Sequence, residues 1–431
     1  MVNKISVTRE LEQRVEGQTG WVHAQSYASL KDNSLVRGVE RKDAAVMLRS
    51  EDNGKTWKDT QVVIPKEKLP NKRIREGDIS AFYLDSDNGI LVRFVHDRIV
   101  SDQSCYEEYV EDFANAGSEK GPKTSRLFYD ISRDGGKTWE KRQQLIEKGD
   151  EYNSEHWAKD VLYGKSSLVL EGRRLHKLAD GTIVAPCYLW PTDEQMKKIF
   201  QKENRPQEIW YFKGYVYTVC LLGRWRKDLS GIDWKSGGHM LLPGGYTSAG
   251  VCGSDEPTIA YLDDGRMFCV VRTSASPRHN FRETNIPVLP YCGVSKDKGI
   301  TWQDIRPLTY SDDSSLYSPS AYSEFIKSSK NGKWYWIANI LPEPTYGQCD
   351  PRDILQIAEL DTKTLGIKKE TMAIVENRAP GDPELVRFSN FRVYEERETK
   401  DFILLMTKSY SELEKDYFKL PRPSYCYRIH F

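Results

Sequence analysis

Three short stretches of this chain say the same thing: SEDNGKTW at Ser50–Trp57, SRDGGKTW at Ser132–Trp139 and SKDKGITW at Ser295–Trp302. The shared S-x-D-x-G-x-T-W box is a turn written in side chains. Its Ser and Asp bond neighbouring backbone amides, its Gly takes a positive φ, and its Trp gives the following strand a large apolar face. The boxes start 82 and then 163 residues apart, so the second gap is nearly twice the first and one copy has decayed between them. A fixed period of this kind is tested as a repeat architecture before any other fold.

A second signal runs in step with the first. Short strand-like segments broken by Asn, Asp and Gly pairs recur as SLKDNSLV, YLDSDNGILV, KLADGTIVA, YLDDGRMFCVV, SSKNGKWYWIA and EERETKDFILLM. Such pairs suit tight hairpins. With Ser34, Gly89, Gly181, Gly265, Gly332 and Asp401 as equivalent positions, the spacings are 55, 92, 84, 67 and 69, and six units fill the 431 residues. Each unit reads as strand, turn, strand, a third strand leading into the box and a fourth beginning at its Trp. Four strands repeated radially describe a propeller blade, so the expected fold is all-β: a single six-bladed β-propeller domain over 1–431. Segments 101–126, 191–214 and 274–290 carry helix-like or Pro-interrupted patterns and read as insertions on one rim. Their aromatics Tyr106, Tyr109, Trp210, Tyr211 and Phe212 either form a stacking wall for a ligand or pack the inserts down.

Composition narrows the function classes. Lys+Arg and Asp+Glu are 63 each, so no global basic field exists to hold nucleic acid, and any anion site is local. The eight cysteines form no C-x-x-C pair and the seven histidines no H-x-x-x-H, so neither a metal nor another cofactor is expected. Most cysteines lie in apolar runs such as MFCVV and read as buried free thiols, which leans toward a reducing, cytoplasmic setting; a trimmed secretory leader stays open. No run approaches the ~18 apolar residues of a membrane span.

Residues at one offset from each hairpin turn should converge where the inner strands end. Seven past the turn stand Arg41, His96, Tyr188, Arg272, Asn339 and Lys408, all polar; nine before it stand Gln25, Ser80, Gly172, Glu256, Ser323 and Arg392. Glu256 heads an otherwise apolar strand and needs a partner, which Arg272 on the adjoining strand supplies. Asp43 follows Arg41 by two and projects from the same loop. The alternative for each is a solvated strand end or a surface turn.

Three such boxes on a six-unit β repeat resemble the sialidase superfamily, also called Asp-box or BNR-repeat proteins, over nearly the whole chain. The resemblance implies an exo-glycosidase that removes a terminal α-linked sialic acid or similar acidic sugar from a glycan. In that family three arginines clamp the sugar carboxylate, an Asp before the first box is the acid/base, and a Glu supports a Tyr nucleophile. Guanidinium forks suit a carboxylate, and a tyrosine avoids opposing an anionic substrate with another anion. By position, Asp43 in RKDAAVMLRSEDNGKTW resembles the acid/base, Glu256 in DEPTIAYLDDGR the supporting glutamate, and Arg272 and Arg352 two of the clamp arginines. Arg41, His96 and Arg392 are expected to contribute to substrate binding. Two departures stand out. The first inner strand, WVHAQSYASL, has His23 and Gln25 where the family has arginine, leaving Arg37, Arg41 or Arg392 as replacements. The last, FSNFRVYEE, offers Ser389, Asn390 and Arg392 where the family has tyrosine, leaving Tyr317 or Tyr322. A hydrolase or lyase for another acidic polysaccharide, or a sugar-binding propeller without catalysis, remains an alternative.

Overall fold

The structure is a computed structural model that describes residues 5–12, 18–70, 73–101, 124–170, 174–202, 215–243, 253–274, 286–346, 349–411, 414 and 419–431. Strands follow the hairpin arithmetic closely. Every one of the six turn positions falls between the first and second strands of an antiparallel sheet. The fold is a six-bladed β-propeller of four-stranded antiparallel blades.

The chain divides into two compact units. One comprises Val15–His239 with Lys298–Thr301 and carries the first three blades. Blade 1 is Gln18–Tyr27, Leu35–Arg41, Ala44–Ser50 and Lys58–Pro65; blade 2 is Arg73–Leu84, Leu91–Ser101, Thr124–Ser132 and Gln143–Gln144, with Glu67–Leu69 added beside its first strand. Blade 3 is Ser167–Val169, Ile183–Trp190, Tyr217–Trp225 and Ile232–Met240. Blades 1 and 2 pack through Val36, Met47, Ile79, Leu91 and Val95. Their approach is close enough that a Cβ on Gly38 would lie 2.7 Å from that of Ile79, so the position requires glycine.

The other unit comprises Met1–Arg14, Met240–Asp297 and Trp302–Phe431. Blade 4 is Asp255–Tyr261, Met267–Arg272, Tyr291–Ser295 and Gln303–Pro307. Blade 5 is Glu324–Lys327, Trp334–Ala338 and Ile354–Asp361, with Gly366–Ile367 and Ala373–Asn377 both pairing with the last of these. Blade 6 is Arg392–Glu395, Phe402–Thr407 and Ser424–His430, and its outer strand is Ser6–Leu11 from the other end of the sequence. Strands such as Trp334–Ala338 and Phe402–Thr407 are buried on both faces and are accordingly continuous apolar runs. Tyr335, Ile337, Leu355 and Ile357 of blade 5 meet Phe391, Phe402, Leu404 and Tyr427 in one core.

The boxes join the third and fourth strands. In blade 1, Gly54 N–H donates to Ser50 Oγ (2.9 Å), while Thr56 N–H and Oγ1–H donate to the Asp52 carboxylate (2.8 and 2.6 Å). Ser132, Asp134, Gly136 and Thr138 repeat the pattern in blade 2. The three box glycines Gly54, Gly136 and Gly299 have φ of 86°, 82° and 85°. The Trp has a partner that its apolar character does not announce: Arg37 lies 4.2 Å over Trp57 and Arg93 lies 4.1 Å over Trp139, each arginine coming from the second strand of the same blade. The fourth strand begins one or more residues beyond the Trp, at Lys58 in blade 1 and Gln303 in blade 4. The decayed copy is RWRKDLSGIDW of blade 3, where Asp228 still caps Ser230 N–H at 3.0 Å.

Of the three segments read as insertions, 191–214 contributes the helix Asp193–Lys202. It opens with a reciprocal capping box: Thr192 Oγ1 accepts from Gln195 N–H (3.1 Å) and Gln195 Oε1 from Thr192 N–H (2.8 Å). Tyr106, Tyr109, Trp210, Tyr211 and Phe212 lie outside the described residues, as do Gly172, Cys105 and Cys252. The remaining six cysteines are free thiols, four buried and two, Cys349 and Cys426, partly exposed. Among the described residues no helix is long and apolar enough to cross a membrane.

Candidate active site

In the unit that carries blades 4 to 6, three arginines from distant parts of the sequence gather around one loop. Arg272 ends the second strand of blade 4. Its Nη1 donates to Glu256 Oε1 (2.9 Å), its Nε to Ser320 Oγ (2.7 Å), and its Nη2 lies 3.7 Å from Cys349 Sγ. Glu256 reaches this partner because the pairing register jumps between Asp255 and Thr258, and Glu256 itself takes a φ of 43°. A bulge with a left-handed non-glycine residue re-aims a side chain at a cost in backbone strain, a combination concentrated at functional sites.

Arg352 comes from the loop before the third strand of blade 5 and is buried. Its Nε donates to Cys349 O (2.7 Å) and its Nη2 to Ser320 O (2.6 Å). Burial holds its pKa below the ordinary arginine value. Its backbone is fixed from behind: Asn339 Nδ2 donates to the carbonyls of Arg352 (3.3 Å), Ile354 (2.6 Å) and Phe388 (2.9 Å). Arg387 then lies alongside through a parallel bridge to Arg352, with Phe388 N–H donating to Arg352 O at 2.8 Å. The Arg387 guanidinium forks onto Asp350, both contacts 2.7 Å, and Ser411 Oγ completes the Asp350 carboxylate at 2.9 Å.

These charges act on each other. Burial alone would raise the Asp350 carboxyl, but the Arg387 bonds outweigh it and hold it below the usual carboxylate range. Burial likewise pushes the Cys349 thiol up, yet Arg272, Arg352 and Arg387 together hold it below the ordinary thiol value. Arg272 and Arg387 each carry a protein carboxylate, whereas Arg352 is bonded only to neutral carbonyl oxygens. The loop thus presents planar cationic donors over a short span, an arrangement suited to a carboxylate or a polyhydroxylated ring. Among the described residues no group of three or more His, Cys, Asp or Glu side chains is placed to hold a metal ion.

The sequence-derived candidates fall into two groups. Glu256, Arg272 and Arg352 are brought together here. Arg392 belongs to the same unit but bonds Phe391 O (2.8 Å) and lies 5.2 Å over the Tyr322 ring; Tyr322 in turn donates to Glu324 Oε2 (2.8 Å). Arg41, Asp43 and His96 belong to the other unit, each with its own surroundings. Arg41 forks onto Asp59 at 2.6 and 2.8 Å. Asp43 is exposed in the turn between the second and third strands of blade 1, its carbonyl accepting Lys66 N–H at 2.8 Å. His96 is buried, its Nε2 accepting Leu170 N–H (3.3 Å) and its Nδ1 3.5 Å from Asp78 Oδ1. Arg37, which lies over its box tryptophan, donates to Gln25 Oε1 at 2.9 Å. Pattern reading missed Arg387, Cys349 and Ser320. Two of them adjoin residues already singled out: Cys349 lies three residues before Arg352, and Arg387 two residues before Ser389.

Comparison with known proteins agrees with the architecture. The BNR/Asp-box repeat model matches residues 130–141, the second box. A mutant of NanB sialidase from Streptococcus pneumoniae aligns over 95% of this chain and 70% of its own, at 12% identity and a TM-score of 0.56. The intramolecular trans-sialidase from Ruminococcus gnavus, in complex with oseltamivir carboxylate, aligns over 95% and 94% at 12% identity and 0.53. An α-L-arabinofuranosidase from Fusarium graminearum aligns over 98% and 97% at 12% identity and 0.50. A search of curated proteins finds no significant match. The chain is an Asp-box six-bladed propeller, and that fold is the one found in sialidases and in this arabinofuranosidase.

Proposed function

We propose that this protein is an exo-acting glycoside hydrolase for a terminal acidic sugar, with an α-linked sialic acid as the leading substrate. The observation that supports it best is the convergence of Arg272, Arg352 and Arg387 on one loop, with Glu256 seated on Arg272. In this reading the guanidinium donors orient the sugar carboxylate, and Arg352, which has no carboxylate of its own at bonding distance, makes the strongest contact. Glu256 supports the nucleophile. The substrate is anionic, so a charged carboxylate nucleophile would be disfavoured.

A second reading takes a neutral furanose or another non-sialic sugar. It is favoured by the paired state of Arg272 and Arg387, whose charges Glu256 and Asp350 already offset. Fluorogenic α-sialoside and α-L-arabinofuranoside substrates separate the two, with Glu256→Gln and Arg352→Ala beside the native chain. Release from the sialoside that both variants lose supports the first reading. Release only from the arabinofuranoside overturns it in favour of the second, and release from neither leaves a sugar-binding propeller.

A further inference from the structure

Blade 5 departs from the repeat at the turn that follows its third strand. In the three boxes the tryptophan stands seven residues after the serine, at Trp57, Trp139 and Trp302. The same turn in blade 5 starts at Asp361, keeps a positive φ at the glycine position (Leu365, 58°) and has Lys368 where the tryptophan belongs. A cleft of about 520 Å³ opens there, bounded by the hairpin turns of blades 4 and 5 and by this degenerate box. Its volume falls within the range of small-molecule sites. Leu262 and Trp334 give it an apolar lining. The cleft belongs to the unit that carries blades 4 to 6. Arg266 on its wall precedes, and Arg272 of the arginine cluster ends, the strand Met267–Arg272, which separates the two by about 20 Å.

The polar groups of the cleft hold one another in place. Lys333 Nζ donates to Glu359 Oε2 (2.7 Å) and Lys368 Nζ to Glu359 Oε1 (2.5 Å). Burial alone would raise the Glu359 carboxyl, but the two lysines hold it below the ordinary carboxylate value. Arg266 reaches across from blade 4, its Nε donating to Asp264 Oδ2 (2.7 Å) and its Nη2 to Thr362 O (3.3 Å). Bonding capacity is left over in both senses. Each lysine ammonium has three donors and spends one on Glu359, while Arg266 Nη1 and Asp361 Oδ2 make no hydrogen bond among the described residues. Four cationic and four carboxylate side chains line the cleft, so net charge draws in neither an anion nor a cation. Fixed donors beside fixed acceptors match a hydroxyl, which does both. We propose that this cleft is a second carbohydrate-binding site, separate from the arginine cluster, that takes neutral sugar units of a glycan chain. Such a site serves a hydrolase and a sugar-binding propeller alike.

Saturation-transfer NMR on the folded full chain reads the binding of lactose, maltose and cellobiose, with glucuronate as the charged comparison. At least one of the neutral disaccharides should bind, and glucuronate should bind more weakly. Lys368→Trp restores the residue that the three boxes carry and fills the cleft, so it should abolish the transfer. Arg266→Ala should weaken binding about tenfold, and it carries the test if Lys368→Trp does not fold. Neither Arg352→Ala nor saturating N-acetylneuraminate should alter it. No transfer to any of the three disaccharides overturns the proposal, as does stronger transfer to glucuronate or binding that persists in both cleft variants. Displacement by N-acetylneuraminate overturns it too, since the disaccharide would then sit at the arginine cluster. Binding is read without turnover. Sialoside hydrolysis without disaccharide binding therefore overturns this inference alone, while disaccharide binding without hydrolysis of any glycoside overturns the glycosidase reading alone.

Discussion

Asp130→Asn should be one of the most damaging single changes in the first unit, although no chemistry is proposed for the residue. Asp130 Oδ2 accepts from Arg93 Nε (3.0 Å) and Nη2 (2.6 Å), and Arg142 closes the other side at 2.9 Å. The Arg93 and Asp130 side chains are 1% and 3% exposed, and Arg93 lies over Trp139 of the second box. Burial already lowers the Arg93 pKa. Neutralising Asp130 leaves a buried guanidinium without its counter-ion, a defect that costs roughly 3–5 kcal/mol. With a urea m-value of about 3 kcal/mol/M, the unfolding midpoint should fall by more than about 1 M. Tryptophan fluorescence follows the transition, since Trp139 is under the affected arginine. Arg93→Met with Asp130→Leu removes both charges together and should recover most of the loss, because apolar replacement of a buried pair is often neutral. Arg142 is 31% exposed and can turn to solvent. A loss below about 1 kcal/mol for Asp130→Asn, or a double variant as weak as the single, would refute the claim that this pair is electrostatically closed.

Two further outcomes concern pH. Hydrogen bonds from Thr56 Oγ1–H, Thr56 N–H and Ser50 hold the Asp52 carboxyl at about 2, so its NMR titration midpoint should lie there and rise toward the ordinary value in Thr56→Val; an unchanged midpoint would show that the box geometry is not what holds the charge. Asp350 has a depressed folded pKa, so its stabilising effect is complete above the unfolded value of about 3.9 and is lost as pH falls through the folded value. The stability gap between the native chain and Asp350→Asn should accordingly close on acidification below about pH 4, and a gap constant from pH 7 to pH 3 would contradict the assignment.

Much of the repeat was legible because turn chemistry is local. Six hairpin turns and three boxes are each written within a few consecutive residues, and all of them lie where that spacing puts them. The Arg272–Glu256 pair was legible for a related reason: two antiparallel strands joined by one turn place residues at fixed offsets opposite each other, apart from the bulge that tilts Glu256. The same arithmetic chose Arg41 and His96, whose polar character it read correctly and whose partners it had no means to see. Asp59 for Arg41 comes from the outer strand, and Leu170 N–H for His96 from the next blade.

What the sequence determines by itself is therefore the blade: its strand count, its turns and its period, all products of backbone dihedrals and of contacts within a few residues. The tertiary structure decided the site. Arg272, Ser320, Cys349 and Arg387 lie 29 to 48 residues apart along the chain, with no shared motif. They meet only because Asn339 ties three carbonyls of two segments together and a parallel bridge sets Arg387 beside Arg352. Whether a given arginine is spent on a protein carboxylate or left for a ligand depends on such long-range packing, because the energy of a buried charge is set by everything around it and not by its neighbours in sequence.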